Sequence, residues 1–285
     1  MVNEGWENRL HVGEALMHAG VVGAGKVGLS IAHALQHAGV HTWVQSRREP
    51  LASLPFIPAV IVLAVADTDY EQQSAALAAR MGDDLRGVLV VHCSGRLSRD
   101  VLHDCASLGA RTAAIHPFQT FASADASLVD HIGWGVECLD VDAVRCYEFV
   151  EIFHGTPHRL PLGNIEAKLR YHAAAVAASN LLYASLSLAR ATADAAHLPE
   201  NEFLVPIIRQ TVFNAERSME HGTPFGITGP LMRGDVEALR LQLHAMPQQL
   251  QTRYALLHLA LLDAVADTLP QSTVDAMRAV LTITP

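Results

Sequence analysis

The stretch Ala19-Gly20-Val21-Val22-Gly23-Ala24-Gly25-Lys26-Val27-Gly28-Leu29-Ser30-Ile31-Ala32-His33-Ala34-Leu35 decides the fold. A short apolar run leads into three glycines at GxGxxG spacing, and an amphipathic helical pattern follows. Each glycine has a physical reason to be there. Gly23 permits the tight turn, Gly25 lets backbone approach a pyrophosphate, and Gly28 lets helix and strand pack closely. The first amides of the helix then face the phosphates, which adds Lys26 and Val27 to the cofactor-binding candidates. A second strand follows at 41–46. This context on both sides predicts a dinucleotide-binding βαβ unit, the plain alternative being the same turn without a ligand.

The end of the second strand selects the cofactor. An NAD site usually places an acid there for the ribose hydroxyls. This chain has Ser46-Arg47-Arg48, with Glu49 as the first acid. A hydroxyl and two planar guanidinium forks suit a 2′-phosphate, so NADP is the expected cofactor.

Further apolar runs read as parallel strands at 59–65, 87–91 and 111–115. They end in Ala66-Asp67-Thr68, His92-Cys93-Ser94-Gly95 and His116-Pro117-Phe118-Gln119. Ligands of open α/β sheets sit at such carboxyl ends. Ala66, Asp67, His92 and Ser94 are therefore expected to contact the cofactor, and His116 to face the nicotinamide or a substrate group. Thr68 or Asp69 is the expected cap of a helix over 70–81.

Length and composition narrow the class. The 285 residues suffice for two domains, and 50% hydrophobic against 17% charged residues is a well-buried composition. A net charge of −9 argues against a nucleic-acid partner. The four cysteines, Cys93, Cys105, Cys138 and Cys146, are widely spaced and read as free thiols. The 16 histidines show no metal-ligand spacing, so no metal is expected. Met1–Leu10 is not a leader in composition, and Leu256–Leu262 is too short to span a bilayer. No membrane association and a cytoplasmic location are the expectations.

The expected organisation is an N-terminal extension over 1–17, an α/β dinucleotide-binding domain over 18–162 and an all-helical domain over 163–285. The first closes with a strand at 132–139, a helix at 141–153 and a short strand at 158–160. In the second, Asn164 caps an alanine-rich helix over 165–196. Helices at 200–220, 234–244, 248–267 and 272–281 follow. Pro206 is expected to kink or split the first of these, and Asp235 to cap the next.

With the glycine turn, His92-Cys93-Ser94-Gly95, His116-Pro117-Phe118-Gln119-Thr120-Phe121, Tyr171-His172-Ala173-Ala174-Ala175 with Ser179-Asn180, and Thr228-Gly229-Pro230 with Arg233-Gly234-Asp235 in this order, the chain resembles a known group. It looks like the NAD(P)-binding Rossmann-like proteins that carry the helical domain DUF2520, over residues from about 18 to about 268. These are named NADP- or F420-dependent oxidoreductases. They are similar to pyrroline-5-carboxylate reductase, ketopantoate reductase and the β-hydroxyacid dehydrogenases, with a helical domain like the C-terminal one of 6-phosphogluconate dehydrogenase. The resemblance implies hydride transfer to or from a small carbonyl, imine or hydroxy compound in an interdomain cleft. It also implies a homodimer through the helical domain; the apolar residues Leu181, Leu182, Leu186 and Leu188 suit either a second chain or the domain's own core. A non-catalytic NADP-binding or sensor protein and an F420-dependent reductase are the alternatives.

Those dehydrogenases share a lysine followed four positions later by an asparagine. The matching positions here are Lys168 and His172, on one helix face. Lys168 is expected to stabilise charge on a carbonyl oxygen or donate a proton to it, and His172 to orient the carbonyl or act as its acid. Histidine in place of asparagine departs from the relatives. His116 is the rival catalytic residue. Arg233 suits a substrate carboxylate or a structural pair with Asp235.

Overall fold

The computed structural model describes residues 16–46 and 54–282. Arg47 and Arg48, and nearly all of the expected N-terminal extension, lie outside the described residues. Seven strands, β1 (His18–Val22), β2 (His41–Gln45), β3 (Val60–Leu63), β4 (Leu89–His92), β5 (Arg111–Pro117), β6 (Gly133–Cys138) and β7 (Thr156–Arg159), form one sheet in the order β2-β1-β3-β4-β5-β6-β7. Strands β1 to β5 are parallel, β6 is antiparallel to β5, and β7 is parallel to β6. Strand order reverses at β1, so a crevice opens at the carboxyl ends of β1 and β3.

The apolar run of β3 supplies both faces of the sheet, because successive side chains point to opposite sides. Val60 and Val62 join one core with Ile31 and Leu35 of α1 (Lys26–His37) and Phe149 of α4 (Ala143–Glu151). Ile61 and Leu63 join the other with Tyr70 and Leu77 of α2 (Tyr70–Met81) and Cys105 of α3 (His103–Ser107). Helices on both sides of a mostly parallel sheet make the doubly wound layout the sequence predicts. After β4 the chain enters α3 through a 3-10 turn, Arg99–Leu102. One local expectation differs. Helix α2 carries no side-chain cap, since the Thr68 hydroxyl donates instead to Asp69 Oδ1 (2.9 Å).

The glycine turn holds α1 against β1 and β3. Gly23 sits at φ +116°, and a Cβ there would lie 2.2 Å from the Ala64 carbonyl oxygen. A Cβ at Gly28 would lie 1.9 Å from the Gly23 carbonyl oxygen. A Cβ at Gly25 would meet nothing within 4 Å. Two of the three glycines are thus required by the protein's own packing, and the third opens outward.

Contacts divide the chain into compact units over 1–177 and 178–285. Helix α5 (Ile165–Ala178), capped by Asn164 through the Ala167 amide (2.9 Å), goes with the sheet, 15 residues past the boundary expected from sequence. Its side chains explain why, as described below. The long helix expected over 165–196 breaks at Ser179 (φ −120°, ψ −73°), and α6 (Asn180–Ala195) starts the second unit. The rest of that unit is α7 (Glu200–His221), α8 (Val236–Ala245), α9 (Gln248–Val265) and α10 (Gln271–Leu281). Leu239, Leu262, Val274 and Met277 centre its core, and Asp235 caps α8 as expected. Helix α7 runs on through Pro206, which lies in its second turn.

Gly28→Ala is expected to lower unfolding free energy by about 3 kcal/mol, because backbone must move to admit the methyl group. Gly25→Ala is expected to cost less than about 1 kcal/mol. Urea denaturation of both variants checks this, and equal losses would contradict the packing account.

Candidate active site

Two cavities meet at the glycine turn. One, about 420 Å³, is lined by Gly23, Ala24, Gly25, Ser46, Ala64, Val65 and Ala66. The other, about 440 Å³, runs from Gly25, Lys26 and Val27 past Asp67 and Tyr70 to Ser94, Gly95, His116 and His172. They share Gly25, Ala64 and Val65, so one groove joins the end of β2 to the ends of β4 and β5. The N-terminus of α1 opens onto it. Gly25 is the N-cap, no side chain caps the helix, and its first turn has no acid. Free amides and the positive end of the helix dipole suit an anion there. The bare Gly25 surface leaves room for a phosphate to approach the backbone, so a dinucleotide fits these residues.

At the far end, His116 and His172 meet with ring centroids 5.8 Å apart. A Cβ at Gly95 would lie 2.3 Å from His172 Cδ2 and 3.0 Å from His116 Nε2, so glycine is what lets both rings close on this loop. Tyr171 of α5 backs the pair. Its hydroxyl accepts the Gly135 amide (3.0 Å), donates to the His116 carbonyl (3.2 Å) and lies 3.0 Å from His116 Nδ1. Burial, with the neighbouring His172 and Lys168 adding to it, pushes His116 down to about 4, although Asp67 acts the other way. His116 is therefore neutral at pH 7.

Other sequence-predicted residues divide. Asp67 lines the groove and is paired with Arg96 from the β4 loop (3.0 Å). Ser94 lines it too, but its hydroxyl is occupied by the Arg96 and Leu97 amides (3.2 and 3.0 Å). His92 does not line the groove. It is fully buried, with Nδ1 accepting the Ser94 amide (3.2 Å) and Nε2 facing the Ser98 carbonyl (3.0 Å). It shapes the loop that presents Ser94 and Gly95. Burial, with the Lys168 charge and His116 adding to it against the Ser98 carbonyl, pushes it down to about 3. Cys93 also borders the groove, and burial raises its thiol to about 12, which leaves it inert.

Lys168 and His172 share a helix face as their spacing predicts, yet they do not converge. Lys168 is 4% exposed and its Nζ donates to Glu137 Oε2 (2.5 Å), itself 2% exposed. Burial carries Lys168 below the ordinary lysine range even against the Glu137 charge. The expected charge-stabilising lysine is a buried latch between α5 and β6, and Glu137 also accepts the Gly163 amide (3.3 Å).

Residues 132–261 match the family described as Domain of unknown function (DUF2520). The segment carries the DUF2520 signature. No curated protein matches the chain. Among solved structures, a Bacteroides fragilis protein named as a proposed NADP oxidoreductase aligns with TM-score 0.63 and 19% identity over 85% of this chain and 96% of that one. A Streptomyces aurantiacus imine reductase aligns at 0.56 and 18%, over 90% and 98%. An Aspergillus terreus reductive aminase, in complex with NADPH and ethyl levulinate, aligns at 0.52 and 17%, over 79% and 84%. At these identities the likeness establishes a shared fold, a Rossmann-like domain followed by a helical one.

The DUF2520 match begins at β6, so it contains Gly135, Glu137, Lys168, Tyr171 and His172, while the glycine turn and His116 precede it. Sequence reasoning gave no role to Gly95, Glu137 or Tyr171. Elsewhere, Asp130, His131 and His154 bring one ligand atom each within 4.8 Å on the exposed surface, with Asp130 Oδ1 2.9 Å from His154 Nδ1.

His92 and His116 titrate well below the unfolded value of about 6.5. The unfolded chain therefore binds their protons first, and stability present above pH 6.5 is lost as pH falls toward 4 and then 3. Between pH 6.5 and 5 the expected loss is about 2–4 kcal/mol. Urea unfolding across that range checks it. His92→Gln is expected to flatten the slope, and an unchanged slope would contradict the assignment.

Proposed function

We propose that the chain is an NADP-dependent oxidoreductase acting on a small carbonyl, imine or hydroxy compound. The observation that carries this reading is the shared wall of Gly25, Ala64 and Val65, which makes one groove of the anion-ready helix terminus and the histidine pocket. In this reading Gly23, Gly25, Lys26, Val27 and Gly28 hold the pyrophosphate, and Ser46, Arg47 and Arg48 hold the 2′-phosphate. Ala66 and Asp67 border the chain between them. Bound NADP(H) supplies the hydride acceptor or donor. His116 and His172 orient the substrate, and the Tyr70 and Val65 walls limit water. The names of the aligned structures, an imine reductase and a reductive aminase with NADPH among them, support this reading. Lys168 has no part in it, being spent on Glu137.

Fluorescence titration is the test. NADPH is expected to bind more tightly than NADH, and Arg47→Ala/Arg48→Ala to lose tenfold or more of the NADPH affinity. Binding of neither nucleotide would overturn the proposal and favour F420 or a different ligand.

We also propose that the chain is a homodimer through its helical unit. Helix α7 has no buried residue, and its Phe203, Ile207 and Phe213 are exposed, as are Leu181, Leu182 and Tyr183 of α6. Leu188, read as facing either a second chain or its own core, is buried. The run Ile165–Ala195 is long and apolar enough, with hydropathy 1.2, to cross a membrane by composition alone. Its first half, however, is tied to the sheet by Lys168 and Tyr171, which argues against a membrane span. Sedimentation equilibrium is expected to give a dimer, and Phe203→Glu/Phe213→Glu a monomer. A monomeric wild type, or a protein recovered with membranes, would contradict this.

A further inference from the structure

We propose that Tyr171 is a positioning residue that holds His116 as its Nδ1–H tautomer, so that the Nε2 lone pair faces the groove and selects a ligand whose reacting end donates a hydrogen bond. A tyrosine hydroxyl has one proton and two acceptor positions. Here it stands among the Gly135 amide, the His116 carbonyl and His116 Nδ1, at 3.0, 3.2 and 3.0 Å. The Gly135 amide can only donate, and the His116 carbonyl can only accept. The hydroxyl proton goes to the carbonyl and one lone pair goes to the amide. The arrangement that satisfies every group then has Nδ1–H donating to the second lone pair.

A neutral imidazole with Nδ1 protonated has an unprotonated Nε2. That nitrogen lies on the groove side, beside Gly95 and next to His172. The groups that set the charge at this ring are consistent with the neutral form. Burial opposes protonation most, His172 and Lys168 add to it, and Asp67, in the 3-10 turn after β3, acts the other way with less effect. Tyr171 itself is raised to about 12 by burial, against the Gly135 amide, so it stays a hydroxyl.

The consequence is a preference in substrate chemistry. A ketone oxygen placed against Nε2 would set lone pair against lone pair. An alcohol O–H or an amine or iminium N–H would form a hydrogen bond. Given the proposed oxidoreductase reading, the donor is the group on the reacting carbon, and the site favours a hydroxy compound, an amine or its protonated imine over a neutral ketone. The tautomer itself does not rest on that reading.

The test uses the full chain with ¹⁵N-labelled histidine, with His116→Gln to assign the His116 signals. Long-range ¹H–¹⁵N spectra are expected to show Nδ1 protonated and Nε2 bare. Cyclopentanol and cyclopentanone are then titrated as shape-matched probes. The alcohol is expected to bind about tenfold more tightly and to shift Nε2. Tyr171→Phe is expected to mix the tautomers and erase the preference. A protonated Nε2 in the wild type, or a ketone that binds as well as the alcohol, would overturn the proposal. NADPH is added last to the same sample. Absence of binding there would refute the cofactor reading while leaving the His116 result to stand or fall on its own signals.

Discussion

Helix α1 lies so close to the turn before it that position 28 has no room for a side chain, the Gly23 carbonyl oxygen being 1.9 Å from where a Cβ would sit. That approach depends in turn on Gly23 at φ +116°, which tucks the turn against Ala64 at the end of β3. Helix and two strands are locked together at the point where strand order reverses. The same lock points the amides at the start of α1 into the open crevice. Packing and the exposure of the helix terminus are therefore one constraint, and the groove follows from it.

The second half of the site is fixed by α5. Its Lys168 is buried against Glu137 in β6, where breaking either partner would leave an uncompensated charge. One turn along, Tyr171 reaches Gly135 of β6 and His116 of β5. These two contacts set the register of the helix on the antiparallel edge of the sheet and bring His172 beside His116. Helix α5 is a scaffold on one turn and a wall of the groove on the next.

Much of this was legible in the sequence. Strand periodicity and turn residues placed all seven strands within a few residues, and the glycine spacing placed the tight turn before α1. His116, His172, Asp67 and Ser94 were placed at the groove because strand ends and helix faces follow from local pattern. What local pattern lacks is a partner. The spacing of Lys168 and His172 gave the right face but could not show that a carboxylate waits on β6. A signal was present: Glu137 interrupts the apolar strand Gly133-Trp134-Gly135-Val136-Glu137-Cys138, and a buried acid demands a cation. His92 misled for a similar reason, since a strand-end histidine can turn inward and bond its own loop. Gly95 and Tyr171 matter only through contacts between segments far apart in sequence.

The central claim is that one groove carries a dinucleotide from the glycine turn to the two histidines. A crystal structure of the protein with NADP⁺ tests it most directly. The account predicts the pyrophosphate on the amides after Gly25 and the nicotinamide ring beside Gly95, His116 and His172. A dinucleotide bound elsewhere, or a nicotinamide turned away from those residues with the pyrophosphate in place, would contradict it.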